Sequence, residues 1–283
     1  MSPKRTTVVS VSYNSSGVIA AMLASCSQAA GVIVVDNASD DAGALRDLCN
    51  QHGAQMIGNA DNLGFGAACN IGAGAVTTEF ILFLNPDAKL EPDTLTRLEH
   101  CADVHPDTAA FNPMLFDSEG QHGIKRKSDL ISRTEYIGHD RVDQQDDMVS
   151  LSGAAIFIRR QDFENIGGFD QNIFLFFEDD DLAARIRQTG RGLRLCREAV
   201  VRHIVGTGSG PSTHKGSATK AWYMGFSRLY TMRKHHRPFA RMRTVGKAIL
   251  RVLDPSLLFS KGRRMKRFAY LRGTLAALRE AGK

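Results

Sequence analysis

The 283-residue chain contains no apolar run of the roughly 18 residues that a membrane-spanning helix needs. It also lacks internal repeats at a solenoid period and low-complexity blocks. With 43% hydrophobic and 23% charged residues, it reads as a soluble fold long enough for one large domain or two small ones. Its five cysteines (Cys26, Cys49, Cys69, Cys101, Cys196) are odd in number, widely spaced and without a C-x-x-C pair. That argues against a disulfide framework or a cysteine zinc site, and reduced, mostly buried thiols are expected. The opening MSPKRTTVVSVSYNS has no apolar signal region or small-residue cleavage site, so the chain is expected in the cytoplasm. The first strand-to-helix turn, Ser12-Tyr13-Asn14-Ser15-Ser16-Gly17, lacks the G-x-G-x-x-G of a dinucleotide dehydrogenase, and no Walker A lysine is present. Gly64-Phe65-Gly66 comes too late in the chain and has no third glycine. No Ser/His/Asp or Cys/His signature of a covalent nucleophile stands out.

Acidic residues are scarce at one end. Between Arg228 and Lys283 there are 16 Lys/Arg against only Asp254 and Glu280, so this segment carries +14 of a net +6 and the rest of the chain is −8. Apolar residues interleave with that charge, as in SLLFSKGRRMKRFAYL, in a pattern fitting amphipathic helices on an anionic membrane surface. A nucleic-acid groove or a merely solvated face are the other readings. The Leu and Phe content exceeds what phosphate contacts require, so no nucleic acid is expected. Pro238 and the Asp254-Pro255 pair divide this tail into about three helical pieces from about Lys215 onward.

What is present in the first hundred residues is a βαβ rhythm: strands at Thr6–Ser12, Gly31–Asp36 and Phe80–Leu84, and helices at Gly17–Ala29, Ala42–His52 and Ala67–Ala75. Runs such as VIVV and FILFL are apolar throughout, as in strands covered on both faces. Polar groups follow the strand ends at Ser12-Tyr13-Asn14, Asp36-Asn37 and Asn85-Pro86-Asp87, where an open α/β sheet forms its ligand crevice. Asp117–Asp147 reads as surface loops, followed by a strand at Val149–Arg159 and another at Leu193–Cys196. The Gly206–Gly210 run is either a phosphate cradle or a flexible connector.

The densest signal is FLFFEDDDLAARIRQTG, Phe174–Gly190, where an aromatic run leads into Glu178, Asp179, Asp180 and Asp181. Mutual repulsion beside aromatics points to a partly desolvated carboxylate, and Asp179 is the candidate base. The plainer reading is a helix start favoured by acids, with an Asp181–Arg185 i,i+4 pair and Leu182 and Ile186 facing the core.

Taken together, VSYNS, VVDNASDD, NLGFGAACNIG, LNPDA, GGFDQNIFLFFEDDDLAARIRQTG and a later H-x-x-G-x-G-S resemble the family 2 inverting glycosyltransferases, especially the rhamnosyltransferase-like branch, over about residues 6–236. The resemblance implies an α/β fold of the GT-A type: a mainly parallel Rossmann-like sheet flanked by helices, with a basic helical C-terminal extension. It implies a nucleotide-sugar-binding half over residues 1–110, an acceptor-binding and catalytic half over 111–210, and a basic amphipathic helical region over 211–283. On this pattern Ser12, Tyr13, Asn14, Asp36, Asn62, Gly64 and Asn85 bind nucleotide. Asp36 accepts from a pyrimidine N–H, or else caps the following helix. Asp87 and His203 hold Mg²⁺ or Mn²⁺, although Asn85 replaces the first Asp of the family's D-x-D and His203 also fits a structural role. Asp179 deprotonates the acceptor with Glu178 assisting, while Asp180, Ser152 and Gly153 border the acceptor. Ser152 and Gly153 fit tight strand packing equally well.

The implied activity is transfer of a sugar, rhamnose or another hexose, from a dTDP- or UDP-linked donor to a hydroxyl of a glycan or lipid-linked acceptor. The expected setting is cell-surface polysaccharide synthesis at the inner face of the membrane. A non-catalytic nucleotide- or glycan-binding protein of the same fold is the alternative, motivated by Asn85.

Overall fold

A computed structural model describes residues 4–121, 123–138, 146–203, 214–254 and 260–279. The β-branched run Thr6–Ser12 forms β1, followed by α1 (Ser16–Ser25), β2 (Gly31–Asp36), α2 (Ala42–Gln51), β3 (Gln55–Gly58), α3 (Phe65–Ala73) and β4 (Phe80–Leu84). Next come β5 (Ala88–Leu90), α4 (Thr94–Val104), β6 (Thr108–Phe116), β7 (Ala155–Arg159), α5 (Arg160–Asn165), α6 (Glu178–Gln188) and β8 (Gly192–His203). The basic segment folds into α7 (His214–Lys234), α8 (Ala240–Val252) and α9 (Lys261–Arg279), three pieces as expected.

One eight-stranded sheet runs β3-β2-β1-β4-β7-β6-β8-β5. The β3–β2, β2–β1, β1–β4 and β6–β8 pairs are parallel, while β4–β7, β7–β6 and β8–β5 are antiparallel. Alternate residues of each strand feed two cores. Val8, Val34 and Leu82 pack with Ile19, Met22, Leu45 and Leu98 on one face; Val9, Val35 and Phe83 pack with Cys69, Leu182 and Ile186 on the other. This period of two, apolar in both phases, is why the strands read as continuous hydrophobic runs. Residue 110, expected as the boundary between halves, lies inside β6, so the sheet passes through that point unbroken.

Two strand expectations need correction. The strand expected over Val149–Arg159 is β7, which starts only at Ala155, because Asn112 holds the preceding turn: its amide takes Ser152 N–H (2.8 Å) and donates to Ala155 O (2.5 Å). The Leu193–Cys196 strand is part of β8, extended to His203 by pairing with β6 and β5. β3, β5, α4 and β6 had not been anticipated. The Asp117–Asp147 stretch is mostly irregular as expected, but it is not confined to the surface, since Leu130, Ile131 and Ile137 are buried. The Gly206–Gly210 run and the G-x-G-S after His203 lie outside the described residues. Cys26, Cys49, Cys69 and Cys196 are buried and all five thiols are free.

The tail is packed into the body. A Cβ added at Gly225 of α7 would lie 2.2 Å from Tyr270 O, and one at Gly273 of α9 would lie 2.0 Å from Trp222 O, so the two backbones touch where only glycine fits. Phe174 stacks on Tyr223 at 4.3 Å, and Ser227 Oγ donates to Leu175 O (2.9 Å), fastening the aromatic segment before α6 to α7.

Candidate active site

Because β4 and β6 each run antiparallel to β7, and β8 runs with β6, the carboxyl ends of β1, β2, β4 and β8 and the start of β7 share one sheet edge. The sequence-predicted residues gather there. Ser12 and Asp36 are register partners at the ends of β1 and β2, both buried, and Ser12 Oγ has no hydrogen-bond partner among the described residues. Asp36 Oδ1 accepts Ser39 N–H (3.2 Å), capping a turn; the residue at the α2 N-cap is Asp41. Tyr13 is exposed. Asn14, at φ 55°, locks the first loop to the second: its N–H donates to Ser39 Oγ (2.9 Å) and its Oδ1 accepts Asp40 N–H (2.8 Å).

The third loop is organised by Asn37, which the strand-end pattern flagged without assigning it a role. This buried amide donates to Asn62 Oδ1 (2.9 Å) and Gly64 O (3.1 Å), and accepts from Asn59 Nδ2 and Leu63 N–H (3.0 Å each). Asn62 Oδ1 also takes Gly64 N–H (3.0 Å). Gly64 sits at φ 86° directly on Phe174, where an added Cβ would stand 2.3 Å from Phe174 O. The glycine therefore joins the donor-side loop to the aromatic segment that leads into α6.

After β4, Asn85 N–H donates to Ala154 O (3.0 Å), placing the Asn85–Asp87 turn against the start of β7. β5 pairs Ala88 with His203, and this brings His203 Nε2 to 3.2 Å from Asp87 Oδ1 and 3.4 Å from the Asn85 amide. Asp87 and His203 border a cleft of about 490 Å³ with Pro86, Lys89 and Arg202. One carboxylate, one imidazole and one amide form an oxygen–nitrogen donor set of the kind Mn²⁺ or Mg²⁺ accepts. Among the described residues no three His, Cys, Asp or Glu side chains cluster, so a cation here would need further ligands from substrate or water.

The acidic segment opens α6, as read from the sequence. Phe176 (φ 67°) and Phe177 (φ 69°) are both left-handed, a costly conformation for bulky residues. It turns the chain so that four carboxylates enter a single helical turn, and each meets a different environment. Asp179 Oδ2 accepts Lys125 Nζ (2.8 Å) and Gly153 N–H (3.0 Å), while its Oδ1 accepts Asp180 N–H (2.9 Å). Asp180, expected at the acceptor, is turned inward: it is buried, takes Ser150 Oγ (2.7 Å) and lies 3.1 Å from Lys125. Burial, then the neighbouring Asp179 charge, raises its pKa.

Glu178 is buried with Oε2 unpartnered among the described residues, and burial plus the Asp179 charge push it up to about 8. Asp181 has the opposite fate. Burial alone would raise it, but His235 (2.8 Å), Lys234 (2.7 Å) and the expected partner Arg185 (2.8 Å) hold it down at about 2. Burial likewise disfavours the Lys125 charge, and Asp179 and Asp180 more than offset that, leaving its pKa raised.

Sequence reasoning missed Lys125, Asn112 and Ser150. Asn112 had a legible signal, a lone amide inside the apolar run AAFNPML. Lys125 had none, because its contact with Asp179 spans 54 residues from an unpatterned loop.

A sheet of this order, with loops at its carboxyl edge and a carboxylate pair at a helix start beside them, is the GT-A arrangement of enzymes that use nucleotide sugars. The mannosyltransferase PcManGT from Pyrobaculum calidifontis, solved with GDP-Man and Mn²⁺, superposes with a TM-score of 0.61 at 17% identity, covering 99% of this chain and 90% of that one. The sequence profile of glycosyl transferase family 2 matches residues 7–167, and the chain belongs to that family. It is 25% identical over 252 residues to the N-acetylglucosaminyl-diphospho-decaprenol L-rhamnosyltransferase of Mycobacterium tuberculosis, covering 77% of this chain and 82% of the relative. It is 28% identical over 180 residues to rhamnosyltransferase WbbL of Escherichia coli, covering 56% and 67%. The protein is a glycosyltransferase.

Proposed function

We propose that the protein transfers rhamnose or another hexose from a dTDP- or UDP-linked donor to a hydroxyl of a glycan or lipid-linked acceptor, with inversion at C1. The observation that carries this reading is the setting of Asp179. An ammonium and two backbone N–H groups fix its carboxylate beside Gly153, next to the β4 end that carries Asn85 and Asp87. Oδ1 keeps lone-pair capacity for an incoming hydroxyl. The acceptor O–H proton passes to Asp179, the new O–C1 bond forms from the face opposite the leaving group, and the C1–O bond to the nucleoside diphosphate breaks. Glu178, protonated at neutral pH, leaves the negative charge of the pair on Asp179.

Residues 1–110 supply the donor side through Ser12, Tyr13, Asn14, Asp36 and Asn85, with Asn62 and Gly64 shaping the third loop; residues 111–210 supply the base and, with Ser152 and Gly153, the acceptor border. Asp87 and His203 would hold Mg²⁺ or Mn²⁺, which neutralises charge on a departing diphosphate. The Mn²⁺ bound by the mannosyltransferase supports that choice.

The basic region, residues 211–283, rests on an anionic membrane surface at its cytoplasmic face. No helix among the described residues is long and apolar enough to cross a membrane. However, α8 turns Ala240, Thr244 and Ala248 inward and exposes Phe239 (70%), Met242 (68%), Leu250 (70%) and Leu253 (70%) on the opposite face, flanked by Arg243 and Lys247.

The decisive test is Asp179→Asn. Transfer falls by about 10³-fold while dTDP or UDP binding persists. Full transfer by this variant would remove the base assignment, and nucleotide binding without transfer in the wild type, across donors, would favour the non-catalytic alternative.

A further inference from the structure

Glu178 to Asp181 crowd four carboxylates into one turn of α6, and their repulsion is relieved in different ways. Asp181 is neutralised by Arg185, Lys234 and His235, while burial keeps the proton on Glu178 at neutral pH. Asp179 and Asp180 remain. Among the described residues a single cation is ion-paired with both: Lys125 Nζ stands 2.8 Å from Asp179 Oδ2 and 3.1 Å from Asp180 Oδ2. The lysine side chain is only 24% exposed, so these pairs are partly shielded from water and act more strongly than surface ion pairs. Burial works against the Lys125 charge, but the two carboxylates outweigh it and the group stays an ammonium.

Lys125 is delivered by a strap over residues 125–137 that is fastened along its length. Arg126 O accepts Ile137 N–H (3.1 Å), and the Ser128 hydroxyl joins that of Ser150 on Asp180. Farther along, Asp129 pairs with Arg228 of α7 (2.9 Å), Ile131 O accepts from Arg237 (2.8 Å), and Leu130 packs with Met232 and Ala240. Glu135 then binds Arg187 near the end of α6 (2.5 Å). The ammonium therefore has a fixed place, unlike that of a lysine on a free surface loop. Its contact also makes the two oxygens of Asp179 unequal. Oδ2 takes both Lys125 and Gly153 N–H (3.0 Å), whereas Oδ1 takes the adjacent Asp180 N–H (2.9 Å) and keeps room for one more donor.

We propose that Lys125 is a positioning residue for sugar transfer: it lets Asp179 stay ionised beside Asp180, and it occupies Oδ2 so that Oδ1 receives the acceptor proton. The inference rests on the transferase reading above and adds the residue that keeps its base in working form. Lys125 holds its own protons throughout and makes or breaks no bond; the acceptor hydroxyl's proton goes to Asp179 Oδ1. Without the ammonium, Asp179 and Asp180 would share a proton, as close carboxylates do, and the base would be lost near neutral pH. The charged or titratable groups bearing on Asp179 are Lys125 from the strap and Glu178 and Asp180 from α6. The Ser152-Gly153-Ala154 turn packed on it contributes a backbone N–H and no charge. The strap's anchors on α7 and α8 give the C-terminal helices a part in setting the base, separate from any contact with a membrane.

The test follows the pH dependence of kcat/KM for nucleotide release from dTDP-rhamnose or a UDP-hexose, with Mn²⁺ present and water as the acceptor hydroxyl. Wild type is compared with Lys125→Met, Lys125→Gln, Lys125→Arg and Asp180→Asn, and melting curves confirm folding. An opposite charge this close moves a carboxyl by about 1–3 pH units, so Lys125→Met and Lys125→Gln should displace the acid limb upward by about 1–2 pH units. Their rate at pH 7 should fall by about ten- to a hundredfold, with the deficit shrinking as pH rises and dTDP or UDP affinity unchanged. Lys125→Arg should keep the limb near its wild-type place. Asp180→Asn leaves the lysine to Asp179 alone and should move the limb downward, an opposite sign that decides the matter even where a lysine variant does not fold. A limb that stays in place, or a rate loss equal at every pH, overturns the proposal and leaves Lys125 as a brace for the strap. A second readout needs no turnover: the aspartate carboxyl resonance that disappears in Asp179→Asn, followed by ¹³C NMR, should titrate at higher pH in Lys125→Met. Movement of that resonance in a protein that releases nucleotide from no donor keeps the link between Lys125 and Asp179 and removes the transferase reading instead.

Discussion

Replacing Glu178 by glutamine keeps the shape of the side chain and removes its ability to ionise, which isolates the effect of burying a carboxyl beside Asp179. The folded chain holds Glu178 at about 8 against an ordinary 4.5, with burial the largest cause and the Asp179 charge second. A raised folded-state pKa contributes stability that is complete below about pH 4.5 and is lost as pH rises through 8, because the unfolded chain gives up the proton first. Disfavouring ionisation over that interval is worth at most about 5 kcal/mol. Urea unfolding of wild type and Glu178→Gln at pH 5, 7 and 9 measures it. The stability difference, variant minus wild type, should grow by at least about 2 kcal/mol from pH 5 to pH 9 with unchanged denaturant slopes. Parallel stability profiles would refute the argument, showing that Glu178 ionises in the folded protein as readily as in the unfolded one.

Asp181 runs the other way: with its folded pKa near 2, its contribution is present above about pH 4 and lost as pH falls through 2. Asp181→Asn should cost about 2–4 kcal/mol at pH 7 and flatten the acid limb of the stability profile, as read by unfolding between pH 2 and 7. Gly64→Ala drives a Cβ into Phe174 O and demands φ 86° of an alanine, so it should lower thermal stability by several degrees and reduce transfer more than nucleotide binding. A circular dichroism melt with a transfer assay checks both. Gly273→Ala pushes α9 off Trp222 O and should cost about 2–3 kcal/mol, visible in urea unfolding, whereas alanine at Gly246, with open space around it, should be neutral or stabilising.

What the sequence determined by itself is local. Alternation of β-branched runs with amphipathic segments set β1, β2 and β4 almost to the residue, since strands covered on both faces must be apolar throughout. Polar residues at their ends marked the ligand edge, four acids after an aromatic run marked the start of α6, and Pro238 marked a break in the basic tail. The pairing of Asp87 with His203 was legible only through resemblance, because it depends on β5 lying beside β8 across more than a hundred residues.

Tertiary structure alone decided which of the four carboxylates does what. They are neighbours in sequence, yet Glu178 is desolvated, Asp179 meets Lys125 and Gly153, Asp180 turns to Ser150, and Asp181 is neutralised by α7. Charge environment is a property of what folds against a residue, and those partners come from a loop without pattern and from a tail that composition marks only as basic. The same tail shows the limit most plainly: its charge was countable in the sequence, but that α7 and α9 pack backbone against backbone at Gly225 and Gly273 is visible only in the fold.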